Sequence, residues 1–221
     1  MLAGLAAALL AGQGAAGAGL CDTGRRQSPI DIVAPTRTAL PALQFDYRAA
    51  PLRLVNDGHT VRVRFANGSR LTAGRESYTL QQFHFHLPAG ERIAGEAFAM
   101  AMHFTHKSRS GQLMALVLLF RLGADNPQLA ALLPQLPGPG QPEKRLAGQT
   151  LNAVDWLPAQ HGYYSYEGSL TGPPCTEGVR WLVLKQALEL SPAQLARLQA
   201  LIPRHARPVQ ALNGRRVFES E

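Results

Sequence analysis

The sequence predicts a mostly β, single-domain fold around one large sheet, with small helices at its edges. Three observations lead there. Runs of strand length, alternating or continuously apolar, recur from residue 60 to residue 185; helical periodicity is confined to two short segments; and no repeat or shift of composition divides the chain. At 221 residues and 46% hydrophobic content, the chain can bury one sizeable core.

Each element has its own signal. TVRVRFA (60–66), YTLQQFHFHL (78–87) and FAMAMHFTH (98–106) read as strands by alternation, and QLMALVLLFRL (112–122) by continuous apolarity. VRWLVLK (179–185) reads as another strand, buried on both faces. NPQLAALLPQL (126–136) is a short helical pattern. SPAQLARLQALI (191–202) is the stronger one, with Ser191 as N-cap, Pro192 at the first helical position and Pro203 as a stop. PGPGQPEKR (137–145) reads as a surface loop.

The first twenty residues, MLAGLAAALLAGQGAAGAGL, carry no charged side chain. They resemble the apolar core and small-residue cleavage region of a signal peptide, without the usual basic start. The run is too short and too rich in Gly and Ala for a stable membrane span. We therefore read residues 1–20 as a leader and 21–221 as the domain, periplasmic or secreted. The two cysteines, Cys21 and Cys175, have no metal-like spacing. They are either unrelated thiols or, in an oxidising compartment, a single disulfide. The formal net charge of +7 is scattered. No nucleic-acid-binding signature accompanies it, so nucleic acid is not expected as a partner. Nothing in the sequence sets an oligomeric state.

The chemistry lies in QFHFH (82–86) and MHFTH (102–106). Along a strand, His84 and His86 share one face while Phe83 and Phe85 share the other. His103 can converge with them from a paired strand; His106, an odd number of residues further on, faces away if that strand is regular. Three buried imidazoles without partners would cost roughly 1–3 kcal/mol for each unsatisfied group, and a metal removes that penalty. All-nitrogen ligation suits Zn²⁺, with the fourth tetrahedral position left to water. Neutral ligands leave the ion its full charge, which favours ionisation of that water near neutral pH.

Six segments extend the pattern: RRQSPIDI (25–32), NDGHTVRVRF (56–65), LQQFHFHLP (80–88), MHFTH (102–106), YYSYEGSLTGPPCTEGVRWLVLK (163–185) and VQALNGR (209–215). In this order and spacing they resemble the alpha-class carbonic anhydrases of bacterial type. The resemblance implies a large, mainly antiparallel sheet with zinc at the bottom of a conical cleft, and reversible hydration of CO2 to bicarbonate and a proton. It makes His84, His86 and His103 the zinc ligands. Gln82 would orient His84, and the backbone near Asn213 would orient His86. Thr171 would orient the attacking hydroxide, and Leu170, Trp181, Thr105 and Ala115 would wall the CO2 pocket. His59 sits at the proton-shuttle position. Cis bonds are expected before Pro29 and Pro174.

Several positions depart from the family pattern. Ala89-Gly90-Glu91 replaces Ser-Glu-His, so Gly90 stands where a glutamate accepts the bond from Thr171. Ala101 replaces the glutamate that orients the third ligand, which leaves His103 to find water or a backbone carbonyl. Gly172 replaces a hydroxyl residue, and Thr105 an apolar one. The expected result is an active but slowed enzyme with weakened zinc retention. A β-bulge at Ala89-Gly90 would turn Glu91 into the place left empty at position 90. A zinc-binding module with little catalysis and a zinc esterase share the same site, and comparing CO2 with ester turnover separates them.

Overall fold

The computed structural model describes residues 18–66, 68–204 and 206–221, so most of the leader at 1–20 lies outside the described residues. A thirteen-stranded sheet dominates. Its path runs Lys144–Leu151, Ala50–Asn56, Val61–Arg64, Glu76–His86, Met100–Ser108, Leu113–Leu122, Glu177–Leu184, Tyr163–Ser169, Phe218–Glu219 and Thr36–Arg37. Most neighbours are antiparallel, whereas Leu113–Leu122 runs parallel to Glu177–Leu184. A small second sheet joins Asp31–Ile32, Arg92–Ile93 and Glu96–Ala97. No helix among the described residues is long and apolar enough to cross a membrane.

All five strands read from the sequence are present, with ends shifted by a few residues. Both helical patterns form shorter helices, Pro127–Leu132 and Pro192–Gln199. Ser191 caps the second through its hydroxyl, which accepts from the Gln194 N–H, while the Gln194 side chain accepts from the Ser191 N–H. The expected loop at 137–145 ends early, because Lys144 and Arg145 pair with Leu54 and Arg53 at the sheet edge. Strands 50–56 and 163–169 carry weak signals, since Pro51 interrupts one and Glu167-Gly168 the other. The peptide bonds before Pro29 and Pro174 are cis, as is that before Pro88.

The sheet separates two apolar clusters. Phe83, Phe85, Met102, Phe104 and Leu116 belong to the larger, which also holds Trp156 and Leu198. Ala101, Ala115, Val117, Tyr166 and Trp181 belong to the smaller, on the opposite face. Strand parity places His84, His86 and His103 on the side of the smaller cluster. His106 goes the other way, into the larger core. Its Nδ1 donates to the Phe104 carbonyl at 3.0 Å, and its Nε2 accepts from the Tyr47 hydroxyl at 2.7 Å. Burial lowers its pKa to about 3.

This fixes a pH dependence of stability. Between pH 6.5 and about 3 the unfolded chain binds a proton at position 106 that the folded chain refuses. Stability is therefore lost as pH falls through that window, by up to about 1.4 kcal/mol per pH unit. Urea midpoints of metal-free protein should fall less steeply from pH 6.5 to 4.5 in His106→Gln than in wild type. Parallel profiles would contradict the assignment.

Candidate metal centre

The ligand face follows from one pairing. Glu76–His86 and Met100–Ser108 run antiparallel with His84 opposite His103 and Ala101 opposite His86. Two histidines come from one strand and one from its neighbour, and one nitrogen from each lies within 4.8 Å of the others. Nε2 of His84 is 3.0 Å from Nε2 of His86. A tetrahedral ion with metal–nitrogen distances of about 2.0–2.1 Å needs its ligand nitrogens about 3.4 Å apart, which these separations bracket. Burial, then the nearby His103 and Arg62, holds the pKa of His84 well below its ordinary value. A neutral ring keeps a lone pair for a metal.

The orientation of His84 is set from behind. Its Nδ1–H donates to Oε1 of Gln82 at 3.0 Å, which leaves Nε2 as the acceptor. The Gln82 amide is itself held, because its Nε2 donates to Oγ1 of Thr105 at 2.9 Å. Valine at 105 would fill the same space without that bond. Trp181 stands edge-on to His103, with centroids 5.1 Å apart, and stacks on Tyr166.

The three rings lie at the floor of a cleft of about 800 Å³. Its lining joins the polar His59, Thr60 and Arg62 with Leu170, Thr171 and Pro173. The NDGH turn positions His59. Asp57 Oδ1 accepts from the backbone N–H groups of His59 and Thr60 at 3.0 and 2.9 Å, and Gly58 supplies a φ of +84°. His59 is left exposed in the cleft. Thr105 lines the cleft as well, whereas Ala115 and Trp181 lie buried behind the wall.

Comparison with known proteins agrees with this arrangement. The family model described as eukaryotic-type carbonic anhydrase matches residues 15–221. The chain belongs to the carbonic anhydrase family. It is 40% identical to a carbonic anhydrase of Pectobacterium carotovorum, over 89% of this chain and 80% of the relative. Identity to a carbonic anhydrase of a Nostoc species is 38%, over 91% and 78%. The solved alpha-carbonic anhydrase of Photobacterium profundum superposes with a TM-score of 0.86 at 38% identity, over 92% of each chain.

Set against the family pattern, two expectations need correction. Asn213 is not brought to the centre. It is exposed at a turn with φ +50°, and its Nδ2 donates to the Arg25 carbonyl at 3.0 Å. The cleft is lined instead by Ala206 and Arg207, a few residues earlier, before the chain turns away. Nor is His103 left to a backbone carbonyl. Glu91 is fully buried, with Oε1 2.9 Å from Nε2 of His103. It reaches there without a β-bulge, since residues 87–91 belong to no ladder. Among the described residues, no hydrogen bond links Glu91 to Thr171. Position 90 stays bare for a steric reason: a Cβ there would stand 2.7 Å from Cγ of Pro29. Position 172 has open space instead.

In this carbonic anhydrase the Thr171 loop is anchored from the N-terminal segment. Ser28 and Ser169 exchange backbone-to-hydroxyl bonds at 3.0 and 3.1 Å. Gly168 makes this approach possible, since a Cβ would overlap Ser28 Oγ and stand 2.8 Å from the Trp181 ring. Arg207, which the sequence reading missed, donates to Gln27 Oε1, the Ser28 carbonyl and the Cys21 carbonyl at 2.9, 2.8 and 2.7 Å. Cys21 and Cys175 form a disulfide across a sequence separation of 154. Thiol titration of denatured, unreduced protein should find no free thiol. Cys175→Ser should lower the unfolding free energy by about 2–5 kcal/mol; an unchanged denaturation midpoint would contradict this anchoring.

Proposed function

We propose that the protein is a zinc-dependent enzyme for the reversible hydration of CO2 to bicarbonate and a proton, carried by one domain over residues 21–221. The observation that supports this most directly is the convergence of three imidazole nitrogens, from His84, His86 and His103, at the floor of an open cleft. The set contains no thiolate, and nitrogen-only ligation with an open fourth position is the chemistry of catalytic zinc. When bound, zinc supplies the Lewis acidity that makes water nucleophilic near neutral pH.

The chain's own residues do the rest. Gln82, braced by Thr105, fixes the tautomer and tilt of His84. Leu170 and Pro173 offer an apolar wall to a substrate with almost no hydrogen-bonding capacity. Thr171 lines the same cleft, and on this reading its hydroxyl orients the attacking oxygen. Among the described residues that hydroxyl has no carboxylate to receive its proton, which lowers its power to orient and supports a slowed enzyme. His59, exposed at the cleft, passes the proton to buffer. The disulfide and the apolar leader support an exported protein, periplasmic or secreted.

Stoichiometric zinc and chelator-sensitive CO2 hydration should both be present in wild type, and His103→Ala should lose both. Full zinc in that variant would overturn the ligand set. Ester turnover without CO2 hydration would make the protein a hydrolase, and zinc without either activity a binding module.

His59→Ala should slow CO2 hydration in dilute buffer, with added imidazole restoring the rate. Equal rates at every buffer concentration would reduce His59 to a turn residue.

A further inference from the structure

Among the described residues, Glu91 is the one buried carboxylate lining the cleft, and nothing in the ordinary family pattern assigns it a task. Its relative exposure is 0%, and neither oxygen receives an aligned hydrogen bond from a described residue. A carboxylate so placed costs several kcal/mol unless something compensates it. The donor in contact is Nε2 of His103, itself 4% exposed and without another aligned bond. Oε1 stands 2.9 Å from it but off the N–H axis, so a small turn of either side chain completes the bond.

We propose that Glu91 is the positioning residue for His103: it takes the Nε2–H and leaves Nδ1 as the free lone pair of that ring. The inference rests on reading the three histidines as the zinc site. It assigns opposite tautomers to two rings on paired strands, since His84 donates through Nδ1 to Gln82. Positions 90 and 101 cannot supply the acceptor, because one is crowded by Pro29 and the other ends in a methyl group. Glu91 is held in place through the backbone of the next residue. The Arg92 N–H donates to the Ile30 carbonyl at 3.2 Å, and Arg92 pairs with Asp31 in the small sheet. The hydroxyl of Tyr166 is the other buried donor nearby. Burial and then the Glu91 charge raise its pKa, and its oxygen has no aligned bond among the described residues.

The test compares zinc release into excess chelator from wild type, Glu91→Gln and Glu91→Ala, with the thermal midpoint of each zinc-free protein. Release should quicken by about 10–100-fold in Glu91→Ala. It should quicken less in Glu91→Gln, whose amide oxygen still accepts, and zinc-free midpoints should not fall in step. A zinc-loaded protein labelled at histidine should also show a slowly exchanging Nε2–H resonance for His103, lost in Glu91→Ala. Release from both variants within twofold of wild type would overturn the proposal, as would an absent resonance in wild type. If Glu91→Ala does not fold, Glu91→Gln and the wild-type resonance decide. These readouts do not use CO2. An inactive wild type whose zinc release depends on Glu91 would sink the proposed reaction and keep this inference; an active one indifferent to Glu91 would do the reverse.

Discussion

The register that sets His84 opposite His103 is the constraint on which the site depends. A one-residue slip would turn both histidines of the 76–86 strand into the apolar core and bring phenylalanine to the cleft. The buried face prevents that slip. Phe83 lies 5.1 Å from Phe104 and 5.4 Å from Trp156, so the aromatic side chains lock together on the side away from the histidines. The ladder does shift once, where Thr105 faces Gln82 but His106 faces Leu80. The irregularity comes after the last of the three histidines, and their shared parity survives it.

The opposite wall is held by quite different means. Thr171 belongs to no strand, and its loop is fixed by residues far away in sequence. Ser28 clasps Ser169, Gln27 reaches the Cys175 carbonyl at 3.2 Å, and Arg207 gathers Gln27, Ser28 and Cys21 around one guanidinium. Charge-assisted bonds to several acceptors are the stronger kind. The chain's two ends thus determine the shape of its middle. The cleft is a joint between a rigid sheet and a stapled loop.

The parts of this arrangement that obey a short period were legible. Alternation revealed the two paired strands and the convergence of their histidines, and it sent His106 to the other face. Ser191-Pro192 announced a helix start because capping chemistry is local. What failed to show depends on contacts between distant residues. Arg207 is one of 22 basic residues, and no neighbour marks it as a hub. Asn213 was carried to the centre from a closing motif that folds as an exposed turn. Gly90 looked like a missing carboxylate, and only the structure shows Pro29 occupying its side-chain space. Thr105 looked like a polar intrusion in an apolar wall, whereas its hydroxyl receives the Gln82 amide.

Glu91 reaches the His103 ring nitrogen from a different segment than position 101, where the family pattern has its glutamate, and this has a consequence for descent. An ancestor carrying its acceptor on the strand at 101 could not exchange positions freely. Acquiring the second carboxylate first would press two like charges into a dry space beside a single donor. Losing the first one beforehand would leave the third histidine unsupported for as long as the intermediate lasted. On the proposed role of Glu91, either order weakens the support of His103, so the two positions are expected to change together among relatives. Lineages on the two sides of that barrier would keep the same three histidines while their supporting residues drift apart.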